Sequence, residues 1–266
     1  GKEDKTMKNT IKTIEDLSLN AWPSHQIQLY DGWLLRFSYF YTHRTNCIEQ
    51  IGSSSIPLQD KLDYCEEIYE KWGTPAIYKI TPLISSAFDQ KLTERGYHTA
   101  HVTEVMTMDL NGMSIPLGPV SVALSPAIST EWLEALFTLK GTDNPIHRQI
   151  VPSMYAAIPK DTIAASVWDK GQIIGTGLGI LDRDYIGIYA IHVRKDCRRG
   201  HIGRSICQAL LHRAMELGAS RAYLQVVKGN LPAKKLYASL GFQDFYTYWF
   251  RQQYHTSPQD NQPGEP

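Results

Sequence analysis

The sequence of 266 residues lacks several features that each define a class of protein. It has four cysteines, Cys47, Cys65, Cys197 and Cys207, and none of them stands in a CxxC pair. No apolar run reaches the length of a transmembrane helix, and the N-terminus carries no signal-peptide pattern. We therefore expect free thiols in a cytoplasmic protein, because disulfides are rare in reducing compartments.

The sequence also has no excess of either charge. Lys plus Arg and Asp plus Glu number 27 each, which argues against nucleic-acid or membrane-surface binding through a broad basic field. No histidine cluster has the spacing of zinc ligands, so no metal site is predicted. Hydrophobic residues make up 42% of the chain, which is enough for a globular core.

Two segments repeat one pattern: helix, glycine, strand, helix, glycine-aromatic, strand. The matching residues are Gly73 and Gly218, Tyr78 and Tyr223, and Gly96 and Gly241. The repeat predicts two related α/β halves over 10–115 and 120–251, separated by a segment rich in Gly and Pro. The polar residues 255–266 are predicted to be a disordered tail, and residues 1–9 a frayed end.

The second half reads as an α/β fold with a mixed sheet and helices on both faces. Short turns between apolar runs predict antiparallel hairpins, and apolar residues at helical spacing predict the helices. The predicted helices are 131–139, a second one ending at Tyr155, 203–217 and 231–240. The predicted strands are 120–124, 162–168, 172–181, 185–194, 222–227 and a final strand pair within 242–250.

A basic loop with glycines joins the strand 185–194 to the helix 203–217. It contains five Lys and Arg residues between Arg194 and Arg204. A helix N-terminus offers free N–H groups and the positive end of the helix dipole, which together bind phosphate. A solvated basic turn is the alternative interpretation of these charges.

This loop resembles the pyrophosphate loop of the GNAT superfamily of N-acetyltransferases. The family pattern is Arg or Gln, two residues, Gly, one residue, then Gly or Ala, and Arg198 and Gly203 match its ends. His201 stands where the family has Gly, and Gly200 comes one place early. A second family signature, Asn-x-x-Ala-x-x-Leu-Tyr-x-x-x-Gly-Phe, is matched by Asn230, Ala233, Leu236, Tyr237, Gly241 and Phe242.

The resemblance implies that acetyl-CoA is the co-substrate and that Tyr237 is the general acid that protonates the departing thiolate. A backbone N–H of the strand ending at Val193 is implied to stabilise the developing oxyanion. Asn230 and Tyr237 also have a structural interpretation, as a helix cap and a core aromatic. The implied cofactor-binding residues are Ile191, Val193, Arg198, Arg199, Gly200, His201, Ile202, Gly203, Arg204 and Asn230.

The general base is less clear from the residues. The family often has a Glu six positions before the Val, where this sequence has Gly187. His192 is a candidate catalytic base because its ordinary pKa is about 6.5, and Tyr189 with a water chain is another route. The loop carboxylates of Asp143, Asp182 and Asp184 either face a cationic amine or only shape turns.

The first half resembles the degenerate half of bacterial tandem-GNAT proteins. Its opening, Asp31 to Phe37 and then Arg44 to Asn46, is similar to one that recurs in them. Leu92 takes the place of Tyr237, and 52–60 contains no basic loop, so only the second half is expected to bind cofactor.

The predicted function is transfer of an acetyl group to a primary amine of a small molecule or peptide. A non-catalytic acyl-CoA-binding module is the alternative. A nucleotide-binding protein is disfavoured because neither GxGxxG nor GxxxxGK[ST] accompanies the basic loop. An exposed edge strand expected near the C-terminus could pair two chains into a homodimer.

Overall fold

The computed structural model describes residues 1–254, and its contacts form two compact units, each assembled from separate stretches of chain. The N-terminal unit contains 1–13, 22–103 and 246–254, and the C-terminal unit contains 14–21 and 104–245. The limits 10–115 and 120–251 inferred from the repeat stay predictions. The predicted tail, 255–266, lies outside the described residues.

The chain begins with a long helix, so the expectation of a frayed end over residues 1–9 is wrong. Helix α1 starts at Lys2, and Lys8 forms an ion pair with Asp4, one turn earlier in the helix, at 3.5 Å. The later turns bury Ile11 and Ile14, which hold the helix in place. The elements as far as the middle of the chain are α1 Lys2–Ala21, β1 Gln26–Tyr30, β2 Trp33–Phe37, β3 Ile48–Gln50, α2 Leu58–Lys71, β4 Ile77–Ile80, α3 Ser86–Glu94 and β5 His98–Asp109.

The sheet of the N-terminal unit takes one strand from the far end of the sequence. Its order is β1-β2-β3-β4-β11-β5, where β11 is Gln243–Gln252. Strand β11 runs antiparallel to β4, and Arg251 forms an ion pair with Asp89 of α3 at 2.8 Å. Because β11 lies between β4 and β5, the exposed edge strand expected near the C-terminus is not there.

The opening motif of the first half has a structural role. The Asp31 carboxylate accepts hydrogen bonds from the N–H groups of Ser55 and Ile56, at 2.9 and 2.8 Å, just before α2. These bonds lower the pKa of Asp31 to about 2. Arg36 is buried and pairs with Glu49 at 3.1 Å. Asp31 therefore ties the turn after β1 to the segment before α2, and Arg36 joins β2 to β3.

The C-terminal unit has the element order expected from its sequence. Ser129 caps α4 by accepting the N–H of Trp132, and Gly141 ends the same helix in the left-handed conformation. In place of the strand expected over 120–124, the structure has a shorter strand, β6, that begins at Ala123. In place of the strand pair expected within 242–250, it has the single strand β11. The elements are β6 Ala123–Ser125, α4 Thr130–Lys140, α5 Pro145–Ala156, β7 Asp161–Asp169, β8 Gln172–Asp182, β9 Tyr185–Val193, α6 Ile202–Glu216, β10 Arg221–Val227 and α7 Leu231–Leu240.

The sheet of this unit is mixed, in the order β5-β10-β9-β8-β7-β6. Strands β7, β8 and β9 form antiparallel hairpins, while β9 and β10 are parallel. Helix α6 packs on β7, β8 and β9, and α4 packs on β8 and β9. The fold is therefore the predicted α/β architecture with a mixed sheet.

The repeat seen in the sequence is also a repeat of local structure. The residue before each of the helices α3 and α7 caps the helix, because its side-chain oxygen accepts the backbone N–H three positions further on. After each helix, a glycine with a positive φ precedes the aromatic residue. The matching hydrogen bonds are Phe88 N–H to Ser85 Oγ at 3.2 Å and Ala233 N–H to Asn230 Oδ1 at 3.3 Å, then Tyr97 N–H to Leu92 O at 2.9 Å and Phe242 N–H to Tyr237 O at 3.1 Å.

Over residues 1–254, no helix is long and apolar enough to cross a bilayer. The four cysteines, all within the described residues, form no disulfide: Cys47, Cys65 and Cys207 are buried, and Cys197 is partly buried.

Candidate functional site

Strands β9 and β10 separate towards their C-terminal ends. Their parallel register runs from Tyr185 opposite Arg221 to Ile188 opposite Leu224 and goes no further in the described chain. The backbone of 190–193 therefore keeps N–H and C=O groups on the β10 side that β10 does not take up. Unpaired backbone groups of this kind can bind an extended ligand.

A bulge in β9 accompanies this separation. Leu178 of β8 lies opposite Tyr189 and Thr176 lies opposite His192, so Gly177 faces the two residues Ala190 and Ile191. Ala190 has a φ of 55°, in the left-handed region, and its carbonyl accepts the Thr176 hydroxyl at 3.0 Å. Bulges bend a strand and redirect its side chains, often beside active sites.

The loop after β9 leads directly into α6. It passes through a short 3₁₀ turn at Lys195–Cys197, and the Gly200 N–H donates to Cys197 O at 3.2 Å. His201 then takes a φ of 62° and precedes the first helical residue, Ile202. The left-handed residue is therefore His201 at the family's Gly position, and Gly200 has no positive φ.

Three of the five cations of this loop line a cleft at the N-terminus of α6. They are Arg198, Arg199 and Arg204, and Arg204 also donates to Ser239 Oγ at 2.6 Å. Arg194 pairs with Asp196 at 2.7 Å and does not line the cleft. The first N–H groups of α6 have no helical acceptor, so the arginines and the helix end together favour an anion.

Helix α7 forms the opposite wall of the cleft. Asn230 caps this helix and also lines the cleft, so both interpretations of this residue apply. Tyr237 lines the cleft, and its ring meets Phe242 edge-on at 6.2 Å. Burial, followed by the nearby Cys207 thiol, raises the pKa of Tyr237 above its ordinary range. Its phenol therefore stays protonated at neutral pH.

The cleft has a volume of about 790 Å³ and brings together most of the predicted site residues. Ile202 faces the core, so only its backbone can serve a ligand, and Gly200 is exposed outside the lining. The lining also contains Pro232, Ala233, Leu236 and Ser239, which were not predicted as site residues; of these, helical spacing from Asn230 and Tyr237 points to Ala233. The predicted residues in the lining are Ile191, His192, Val193, Arg198, Arg199, His201, Gly203, Arg204, Asn230 and Tyr237.

His192 lies on β9 at the edge of the cleft and is partly buried. Burial, followed by the positive charges of Lys140 and Arg198, lowers the pKa of His192 to about 4. The imidazole is therefore uncharged at neutral pH. It can accept a proton there, although a low pKa makes it a weak base.

The position of the family's Glu is closed by aromatic rings. A Cβ on Gly187 would lie 2.6 Å from Tyr223 Cζ and Oη and 2.8 Å from Tyr189 Cε2. The hydroxyls of these two tyrosines are hydrogen-bonded at 2.7 Å, and both side chains are buried. A carboxylate side chain at this position would clash with both rings.

Two of the three candidate loop acids are engaged at the other end of β9. Asp182 pairs with Lys160 at 3.2 Å, and Asp184 accepts the Ser220 hydroxyl at 3.0 Å. Asp182 ends β8 and Asp184 lies in the turn before β9, at the start of the strand that ends at Val193. Asp143 is exposed in the turn between α4 and α5. Over residues 1–254, His, Cys, Asp and Glu form no group of three that could hold a metal ion.

Comparison with other proteins gives one class over most of the chain. The uncharacterized N-acetyltransferase YobR of Bacillus subtilis (strain 168) is 24% identical over 244 residues, which cover 91% of this chain and 98% of that protein. A GCN5-related N-acetyltransferase from Kribbella flavida superposes with a TM-score of 0.66 at 15% identity, over 88% of this chain and 91% of that one. A tandem GNAT protein from the clavulanic acid biosynthesis pathway superposes with a TM-score of 0.57 at 13% identity, over 79% and 76%. Fold and site therefore define a GNAT N-acetyltransferase.

The family model described as probable histone acetyltransferase Rv0428c C-terminal matches residues 8–251. The chain belongs to this family, and it is an acetyltransferase enzyme.

Proposed function

We propose that this enzyme transfers the acetyl group of acetyl-CoA to a primary amine of a small molecule or a peptide, and that the cleft between α6 and α7 binds the donor. One observation carries the proposal: the N-terminus of α6, three arginines, the separated end of β9 and Tyr237 all meet in a single cleft. The description of the family model makes a protein lysine one acceptor to test.

The cleft fits a phosphate-bearing donor such as CoA. Gly203 lies in the first turn of α6, where a Cβ would make only ordinary contacts, 3.5 Å from Leu236 and 3.8 Å from Val193. Folding alone therefore does not require glycine here, and glycine costs a helix about 1 kcal/mol relative to alanine. The missing side chain keeps the end of the helix open to the cleft.

Each group of the cleft has a role in acyl transfer. Acetyl-CoA would supply the acyl group as a thioester. Arg198, Arg199 and the N–H groups of α6 would hold negative phosphates, and the backbone N–H groups of 190–193 that β10 does not take up would hold the donor's arm and its carbonyl oxygen. Tyr237 holds a proton at neutral pH that it can give to the departing sulfur.

A non-catalytic acyl-CoA-binding module is the second candidate, because the position of the family's Glu is closed at Gly187. The retained Tyr237 in the cleft favours the enzyme, because a module that only binds the donor has no use for a proton donor. Turnover with any amine separates the two.

The first measurement is a calorimetric titration of acetyl-CoA into the wild type, Gly203→Glu and Gly203→Ala. We expect Gly203→Glu to weaken binding by about a hundredfold or more, which is on the order of 3 kcal/mol, because the carboxylate takes the place of a phosphate. Gly203→Ala is the matched control, and it should remain folded. If the folded wild type does not bind acetyl-CoA, the proposal is wrong.

A thiol-release assay with a library of amines then tests catalysis. Tyr237→Phe should leave acetyl-CoA affinity unchanged and lower kcat by roughly 10²–10⁴-fold, the usual loss when a general acid is removed. Donor binding by the wild type without any thiol release would support the binding module instead.

A further inference from the structure

Strand β1 forms the outer edge of the sheet in the N-terminal unit. It comes first in the strand order, and within residues 1–254 it pairs with β2 alone. Native proteins protect such edges with lysines, prolines or a covering segment, because an unpaired strand invites pairing with another chain. The strand Gln26–Tyr30 contains no proline and no charged residue. Its sequence therefore leaves the edge open to a further strand.

The backbone of β1 offers two residues to that further strand. In β2, Arg36 donates its N–H to Cys47 O at 3.2 Å, on the side of β3. Hydrogen-bonding directions alternate along a strand, so the residues on either side of Arg36 turn their N–H and C=O groups to β1. Ile27 lies opposite Arg36, and both Ile27 and Leu29 therefore direct their N–H and C=O groups outward.

The side chains of the same two residues are exposed. Ile27 is 61% exposed and Leu29 is 71% exposed, and both lie on one face of the strand. On the other face, Tyr30 stacks on Tyr64 of α2 with ring centroids 4.0 Å apart, and Gln28 donates to the Tyr64 hydroxyl. The strand is thus fixed on one face by α2 and presents apolar side chains on the other.

We infer that β1 pairs with β1 of a second copy of this chain, in antiparallel orientation, around a two-fold axis at Gln28. In this register Ile27 lies opposite the second copy's Leu29, and each such pair exchanges two backbone hydrogen bonds. Gln28 is the midpoint of the strand, so the pairing uses its whole length. A closed dimer with one self-complementary interface results.

Other positions of the axis match the side chains less well. An axis at Ile27 would place Leu29 opposite His25, and an axis at Leu29 would place Ile27 opposite Asp31, whose φ of 48° ends the strand. Only the axis at Gln28 puts both apolar side chains opposite an apolar one. Cross-strand pairs of this kind stabilise a sheet, so they fix the register.

The edge also has no charge that would repel an identical chain. Like charges directly opposite each other destabilise a strand pair, and two identical copies bring like charges together when a charge lies near the axis. The residues that face one another here are all uncharged: Gln26 with Tyr30, Ile27 with Leu29, and Gln28 with Gln28. A neutral edge that matches itself about its midpoint fits a second copy of the same strand.

The first test measures the molar mass of the full-length protein by light scattering over a dilution series in the micromolar range. We expect monomer and dimer in a concentration-dependent equilibrium. Ile27→Lys should weaken the dimer by about tenfold or more, because the charge enters an apolar pair twice in each dimer. For comparison, Ile146→Lys changes an isoleucine that is 60% exposed in the other unit, and it should leave the dimer unchanged.

The register is tested by oxidative cross-linking with copper phenanthroline. Residues 28 of the two copies form a non-hydrogen-bonded pair with Cα atoms about 4.5 Å apart, which a disulfide can span. Gln28→Cys should therefore cross-link into a covalent dimer. Gln26→Cys should not, because residue 26 lies opposite residue 30 of the second copy. The wild type gives the background from the native cysteines.

A wild type that stays monomeric over the whole dilution series would overturn the inference and leave the edge to some other extended segment. A dimer that survives Ile27→Lys would also overturn it, as would cross-linking through Gln26→Cys that equals that through Gln28→Cys. These outcomes leave the proposed acetyl transfer untouched, because donor titration and thiol release test that proposal separately.

Discussion

At the scale of single residues, His201 shows how a loop keeps its path when its glycine is replaced. The family pattern puts Gly at this position because the backbone turns there with a positive φ. His201 takes the same left-handed conformation, with a φ of 62°, and a non-glycine residue pays steric energy for it. The strain lies directly before the helix whose N-terminus forms the cleft.

We predict that His201→Gly stabilises the protein by about 0.5–1 kcal/mol, because relief of the left-handed strain outweighs the larger entropy of glycine in the unfolded chain. His201→Ala is the matched control, since alanine keeps the strain. The measurement is the free energy of unfolding in urea for both variants. If His201→Gly is less stable than His201→Ala, the prediction that residue 201 is strained is wrong.

At the scale of elements, the contact between β8 and α6 depends on glycines at every second position of β8. Gly175, Gly177 and Gly179 all face α6, and a Cβ on any of them would meet an isoleucine side chain within 3.0 Å. Alternation in a strand puts these positions on one face. The close approach places the N-terminus of α6 beside the bulge of β9.

We predict that Gly177→Ala destabilises the protein by about 1–3 kcal/mol through overpacking, since the new Cβ would lie 2.5 Å from Ile206 Cγ2 and 2.9 Å from Ile191 Cδ1. Gly203→Ala in α6 makes only ordinary contacts and should be neutral or stabilising by up to about 1 kcal/mol. Thermal and urea unfolding compare the two. A neutral Gly177→Ala would show that α6 can move away from β8 at little cost.

At the scale of the whole molecule, the two units are not two consecutive halves of the sequence. The N-terminal unit needs β11, whose last residues pair with β4 and whose Arg251 holds Asp89. Strands β5 and β11 each contribute residues to both units. A cut between the halves would therefore remove one strand from the first unit.

We predict that the fragment 1–115 does not fold cooperatively, because it leaves β4 without its β11 partner and exposes the apolar surface that Phe250 and Tyr248 cover. In the full-length chain, Arg251→Ala should lower stability by about 1–3 kcal/mol, because it leaves the half-buried Asp89 carboxylate without its ion pair. Circular dichroism melts measure both. A sharp melt of the fragment near that of the full chain would refute the requirement for β11.

Much of this could be predicted from local sequence. The cap at Asn230 and the hairpins of β7, β8 and β9 follow from signals a few residues long, and the structure confirms them. The cleft residues on the α6 loop and on α7 are also local, because each set lies on one loop or one helix face.

The rest depended on contacts between residues far apart in the chain. The closure of Gly187 comes from Tyr223, a residue of the neighbouring strand, and the low pKa of His192 comes from its burial in the folded chain, followed by the positive charges of Lys140 and Arg198. The sequence by itself determined most helices and hairpins of the second half and which loop carries the arginines of the cleft, because hydrogen bonds within a helix or turn and the residues of one loop decide those. Only the tertiary structure decided where β11 pairs and which charges surround β9, because packing between distant elements sets both.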